Sequence, residues 1–443
     1  MLNHGELMMN NIKLRESRAF IYACLLSLLI PCSVYALTLD DALNASLDHE
    51  SQLKLSQFYV KQSINVLNQA KARDGLKVNL VSQLDYEKIE TPSGVLFPTE
   101  GNRNGRSAQL QIDYPIYTSG RRKLGIDIAD KQLAASTAAL TDQKSITILN
   151  TVIVYTDVLK SSTKLDLRKQ LLNNLQHSLY EAQRRFNAGV ITRADLAQVV
   201  SQVAQGQADT IQAESNLKIS HARFYQITGL NPDHLEKIKN IPNIPDDLNQ
   251  IITMTSNHPA LEQIFYEKQS AEKQLALTKR ELWPTVIFTS RIGKQNEANY
   301  IGSESNNYMF GMQLNIPLYD DGLNRTNIKK AHVDIELAQQ KLDSLKIDLH
   351  QQVQSSYAQL LAIRQNRKAL QNAIESASIA LTYTRKEFEL GTKTTFDLLT
   401  AEQKLLDIQT QAMVNDQDEI VLVYQLIYQM GNLSTDFISQ KKL

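Results

Sequence analysis

The 443-residue chain carries 47 Lys and Arg against 47 Asp and Glu, a balance that supplies no basic surface for nucleic acid and no bias toward a strongly acidic substrate. Its length allows two or more domains, yet only 16 Gly and 10 Pro punctuate it, too few for a long disordered linker. Both cysteines, Cys24 and Cys32, fall within the first 36 residues, so the remainder can build neither a disulfide nor a thiolate metal site.

Residues 1–36 read as a secretory signal peptide. Lys13, Arg15 and Arg18 form a basic stretch, residues 19–30 form an apolar run too short to span a bilayer, and Pro31 breaks it ahead of the cleavage-like Val34-Tyr35-Ala36. Pro31 directly before Cys32, and Cys24 inside the run, do not fit a lipid anchor. No later stretch approaches eighteen uninterrupted apolar residues, so any membrane crossing has to be made by strands.

An internal repeat organises the rest. Asp113-Tyr-Pro-Ile-Tyr-Thr-Ser-Gly120 recurs as Asn315-Ile-Pro-Leu-Tyr-Asp-Asp-Gly322, and Arg185-Phe-Asn-Ala-Gly189 followed by Asp195-Leu196 recurs as Glu387-Phe-Glu-Leu-Gly391 followed by Asp397-Leu398, each pair 202 residues apart. Upstream, Lys71 matches Lys279 and Val78 matches Val286 at an offset of 208, which places six extra residues in a loop of the first copy. The expected organisation is a first repeat at 37–230 (helix, β-hairpin, long helical hairpin), a linker at 231–247 containing Pro232, Pro242 and Pro245, a second repeat at 248–433 and a short tail at 434–443.

Each repeat changes its hydrophobic period from two to about three and a half. Val78, Leu80, Leu84 and Tyr86 alternate with polar residues, as do Leu110, Ile112 and Tyr114 after a Pro- and Gly-containing loop. The second copy repeats the texture with Phe288 and Ile292, then Phe310, Met312 and Leu314. Leu80, Leu84, Leu110, Ile112, Phe288, Ile292, Phe310, Met312 and Leu314 are therefore the expected lipid-facing set. A half-buried soluble hairpin has the same alternation.

After Gly120 and Gly322 the apolar positions recur at steps of three and four, as in Ile328, Ala331, Ile335, Ala338, Leu342, Leu345 and Leu349. Residues 325–388 would make an unbroken helix of roughly 96 Å. Gly391 ends it, and a second helix returns over residues 394–429. Such a hairpin is far too long for a compact globule. Four strands per chain cannot close a membrane sheet, so the chain has to oligomerise. A dimer would fill its bore with side chains, whereas a trimer would supply about twelve strands and leave a channel.

At the helical turns Gly189 and Gly391 suit left-handed C-caps, while Thr192 with Asp195 and Thr394 with Asp397 resemble capping boxes for the returning helices. The tips around Gly189, Val190, Gly391 and Thr392 lie farthest from the strands and are the candidate docking points for a partner.

Leu37-Thr-Leu-Asp-Asp-Ala-Leu43, the doubled Pro-x-Tyr-x-x-Gly and the doubled Phe-x-x-Gly with Asp-Leu make the chain similar to the TolC-like outer-membrane factor family over nearly all of its length after the leader. The resemblance implies an α+β membrane protein: a homotrimer with a twelve-stranded β-barrel in outer-membrane lipid, continued by a twelve-helix coiled-coil α-barrel across the periplasm. It further implies a periplasmic adaptor (membrane fusion) protein and an ATP-driven or proton-driven inner-membrane transporter as partners, in tripartite efflux or type I secretion. Carried over residue by residue, it implies a periplasmic aperture in which Asp195 meets Phe388 and Lys393 and in which Asp397 forms an acidic ring. Phe388 lacks a hydroxyl and Thr400 stands where a second acid is found, which weakens both features. The 434–443 tail is shorter than in some relatives.

No His-Glu-x-x-His, no phosphate loop ending in Gly-Lys-Ser/Thr and no Gly-x-Ser-x-Gly is present. Gly391-Thr-Lys-Thr-Thr395 lacks the upstream glycine and preceding strand of a nucleotide loop. The expectation is a passive duct with no catalytic residue, cofactor or metal. A secreted coiled-coil fibre or adhesin is the competing reading, favoured by the heptads but not by two matched amphipathic hairpins.

Overall fold

The computed structural model describes residues 36–90, 101–297 and 302–433. The expected signal peptide at 1–36, with Cys24 and Cys32, and the 434–443 segment fall on residues that, Ala36 apart, lie outside the described ones. The elements run α1 (Leu39–His49), α2 (Ser51–Arg73), β1 (Lys77–Ile89), β2 (Gly101–Tyr117), α3 (Arg121–Asn187), α4 (Arg193–Thr228), α5 (Leu248–Met254), a 3-10 turn (Thr255–Asn257), α6 (Pro259–Thr278), β3 (Thr285–Asn296), β4 (Glu304–Asn315), α7 (Leu323–Glu389) and α8 (Thr395–Gln429).

The two halves repeat the same plan. Helices α3 and α7 are both 67 residues long, roughly 100 Å each. Neither contains proline, and each starts at a left-handed Gly, Gly120 with φ 74° and Gly322 with φ 80°. The preceding Ser119 (φ 54°) and Asp321 (φ 53°) are left-handed too. Two successive positive-φ residues swing the chain from strand into helix, which is the physical content of the doubled Pro-x-Tyr-x-x-Gly.

The other columns are assembled from pieces. The end of α4 abuts the α1–α2 junction, so closely that a Cβ on Gly229 would sit 2.8 Å from the His49 ring. Likewise the end of α8 abuts the start of α6, where a Cβ on Gly431 would sit 2.8 Å from His258 Cα and 2.9 Å from the Asn257 carbonyl.

The main core lies at this waist. Leu43, Ile148, Val152, Ile251, Val353, Leu360, Val423, Leu426 and Ile427 converge there from α1, α3, α5, α7 and α8. A second core of Leu171, Leu175, Val199, Val203, Leu399 and Leu406 joins α3, α4 and α8 towards the tips. The inter-repeat segment is stitched on by a parallel bridge between Leu37 and Leu235, and the Tyr155 hydroxyl reaches the carbonyls of Leu37 and Glu236 at 2.8 and 2.7 Å.

All four strands form one antiparallel sheet in the order β1-β2-β3-β4, with β2 against β3 joining the two repeats. Strands β2 and β4 begin at Gly101 and Glu304, before the alternation visible in the sequence, because Asn102 to Arg106 and Glu304 to Asn307 carry no apolar members to reveal a face. No described helix is long and apolar enough to cross a membrane.

Candidate functional site

The first candidate surface is the sheet itself. Its register sets Leu80 opposite Leu110 and Val78 opposite Ile112, then Leu110 opposite Ile292 and Tyr114 opposite Phe288, then Phe288 opposite Met312, Ser290 opposite Phe310 and Val286 opposite Leu314. Because side chains alternate across a strand, all nine residues expected to meet lipid share one face. Leu80, Leu84, Phe310 and Met312 are largely exposed, at 75, 78, 67 and 73%. A single chain leaves this apolar face open to solvent, and the outward edges of β1 and β4 pair with no described strand. At the end of the face away from the helices the side chains turn polar, with Arg106 opposite Leu84 and Lys294 paired with Glu304.

The opposite face is polar. Asp113 accepts hydrogen bonds from Gln111 Nε2 at 2.7 Å and from Thr289 Oγ1 at 2.8 Å. Arg103 lies 3.1 Å from Asp85 and also bridges to Glu87. A sheet that is apolar on one side and hydrogen-bonded on the other matches a wall between lipid and water.

The helical tips are the second candidate surface. Gly189 (φ 74°) and Gly391 (φ 78°) both close Schellman turns: Gly189 N–H donates to Phe186 O and Val190 N–H to Arg185 O, and Gly391 and Thr392 donate in the same way to Phe388 O and Glu387 O. Both capping boxes form. Thr192 Oγ1 donates to Asp195 Oδ2 at 2.8 Å and Thr394 Oγ1 to Asp397 Oδ2 at 2.7 Å, while the backbone N–H of each acid returns to the threonine. Backbone and side-chain hydrogen bonds from Thr192 hold Asp195 below the usual carboxylate range. Those from Thr394 do the same for Asp397, with the nearby Lys393 charge adding to them.

Within one chain the aperture residues do not assemble as the resemblance implied. Asp195 makes no ion pair with Lys393 among the described residues; its Oδ2 is occupied by Thr192 and Lys393 sits near Asp397 instead. Phe388 is 5% exposed and lies under the Arg185 guanidinium, 4.2 Å from its ring centroid. Its role inside the chain is to join α7 to α3. Thr400 is exposed and its hydroxyl donates to Phe396 O.

Sequence reading missed the basic lining of this end. Arg184, Arg185, Arg385, Phe388, Leu398 and Glu402 line a groove of about 690 Å³ between the ends of α3 and α7, and Arg385 lies 2.9 Å from the buried Glu402. Arg185 aligns with Glu387 in the other repeat, and that mismatch was the available signal. At the rim, Val190 and Leu390 stand out as exposed apolar side chains.

The chain as a whole is similar to known outer membrane proteins. The family model for outer membrane efflux proteins matches residues 42–230 and 253–422. The chain is 23% identical over 401 residues to the outer membrane efflux protein BepC of Brucella suis, covering 90% of this chain and 86% of that one. It is 22% identical over 413 residues to the outer membrane protein TolC of Vibrio cholerae, covering 86 and 92%. Among solved structures, the Campylobacter jejuni CmeC outer membrane channel superposes with a TM-score of 0.80 at 14% identity, over 91% of this chain and 89% of that one.

Proposed function

We propose, for a chain that belongs to the outer membrane efflux protein family, that three copies close their sheets into one barrel in the outer membrane and continue it across the periplasm as a helical tunnel. The family is one of transport ducts and not of enzymes. The chain is the exit duct of a tripartite efflux or type I secretion machine, opened by a periplasmic adaptor that couples it to an energised inner-membrane transporter. One observation carries this reading: a sheet with two unpaired edges and one exposed apolar face is continuous with two 67-residue helices. An open edge in lipid leaves unpaired backbone groups, which only closure removes.

The adaptor docks at the tips through Gly189, Val190, Gly391 and Thr392, where the tight turns leave the end of each hairpin unencumbered. Asp195, Lys393, Asp397 and Thr400 border the periplasmic aperture, with Phe388 and Arg185 fixing the distance between the α3 and α7 ends behind it. The competing fibre reading gives no role to the matched apolar face.

The experiment is membrane assembly of charge variants. Leu110→Arg should cost roughly 2–4 kcal/mol at the bilayer midplane and abolish the membrane-inserted trimer, whereas Gln111→Arg should assemble. Equal assembly of the two variants would reverse the face assignment.

A further inference from the structure

The polar face of the sheet changes sign along the strands. Its half near the helices carries Lys77 and Arg291 against Asp113, and its far half carries Asp85 and Glu87 against Arg103. In the far half both acids are bridged by the one guanidinium of Arg103, which leaves a single net negative charge per copy there. In the near half Asp113 is engaged by Gln111 and Thr289.

In that half two cations are left over among the described residues, Lys77 on the edge strand β1 and Arg291 on the inner strand β3. Arg291 is exposed, and it has neither a hydrogen bond nor an ion pair among the described residues. Its cross-strand neighbours, Gln111 on β2 and Met309 on β4, are uncharged. Two glycines flank it on the same face: Gly293 next along β3, and Gly311 on β4 opposite Thr289. A Cβ on Gly311 would meet nothing within 4 Å, so the space above that glycine is open.

We infer that Arg291 forms an anion-attracting collar inside the strand barrel, a station that engages oxyanion groups of passing cargo. The inference rests on the trimeric closure proposed above, which brings one guanidinium per copy to a common cross-section. Arginine stays charged at any working pH and offers five N–H donors suited to carboxylate, sulfate or phosphate oxygens. Inside a narrow lumen walled by lipid and protein, like charges raise the local counter-ion concentration and set selectivity. The collar acts in the opposite sense to Asp397 at the tips, so a permeating ion meets two filters of opposite sign in series.

Planar-bilayer recording of the full-length protein in a KCl gradient tests this. Arg291→Gln should raise the potassium-to-chloride permeability ratio roughly twofold or more, Arg291→Lys should stay near wild type, and Arg106→Gln on the other face should change nothing. Millimolar pyrophosphate added to wild type should reduce the current and should lose that effect in Arg291→Gln. An unchanged permeability ratio in inserted Arg291→Gln, or no pyrophosphate effect on wild type, would overturn the collar while leaving the channel in place. A wild-type protein that inserts and conducts nothing would instead count against the barrel reading.

Discussion

At the scale of single residues, Asp195 and Asp397 each serve a helix start and face the space beyond it. Their lowered pKa values mean that whatever they contribute to folding is present above the unfolded value near 3.8 and is lost as pH falls through the lower folded value. Both are therefore ionised throughout the neutral range, as a charge ring requires. Asp397 is the N3 member of its capping box, and an Asn there keeps a side-chain oxygen to accept from Thr394 N–H. Asp397→Asn should thus preserve the trimer and its thermal midpoint while lowering cation preference in bilayer recordings. A fall in midpoint with unchanged selectivity would reduce Asp397 to a helix-start residue.

Glycines at the helix ends separate two kinds of constraint. At Gly391 a Cβ would meet nothing within 4 Å, so substitution strains only the φ of 78°, about 1–2 kcal/mol. At Gly431 the added carbon would press on the backbone of Asn257 and His258, and the α8–α6 junction would have to open. Gly391→Val should leave an inserted trimer and weaken adaptor cross-linking, whereas Gly431→Val should fail at assembly. Undiminished cross-linking of Gly391→Val would remove the tips from the docking surface.

At the scale of elements, what sequence disclosed was periodicity. The nine apolar strand residues and the two long helices were legible because alternation at two and at three to four is imposed by which side is covered. The polar starts of β2 and β4 were not, since a strand with water on one side and polar lipid boundary on the other has no alternation to display. The intrachain partner of Phe388 was not legible for a related reason: a linear motif names the residue but not its neighbour across the hairpin, and Arg185 on α3 covers it from 203 positions away.

The waist between α8 and α6 holds a pH-sensitive joint that no motif announces. His258 is 1% exposed, accepts from Ala260 N–H as the N-cap of α6, and stacks edge-on against Tyr428 at 5.0 Å. Burial pushes its pKa down to about 4. The unfolded chain therefore binds the extra proton first, so the contribution is complete above about pH 6.5 and is withdrawn as pH falls towards 4, about 3 kcal/mol in all. Asp142, 4.0 Å from the imidazole and itself raised by burial, titrates in the opposite sense and blunts the lower end of that window. His258→Asn retains a capping side chain and should flatten the decline of the thermal midpoint between pH 6.5 and 4.5. Parallel declines for both proteins would mean that His258 does not titrate.

At the scale of the whole molecule, the direction of the strands dictates how copies join. In an antiparallel sheet ordered β1-β2-β3-β4 the two edge strands run in opposite directions. A copy related by rotation about the barrel axis therefore presents its β1 antiparallel to the β4 of its neighbour, and every junction in the ring is the same heterologous contact. Pairing β1 with β1 would instead demand a parallel junction or an inverted copy, and an inverted copy would carry its helices to the other side of the membrane. With Cys24 and Cys32, the two native cysteines, replaced by Ser, introduced thiols report cleanly. A chain with Cys at Val81 on β1 and at one position scanned from Ser305 to Met309 on β4 should, for the register where Cα atoms approach within about 7 Å, oxidise to a covalent ladder that ends at three copies. Chains bearing either cysteine alone should give no ladder. A ladder ending at two copies would mean a barrel of about eight strands with its bore filled by side chains, and a β1-only chain that cross-links would mean that copies meet edge to like edge.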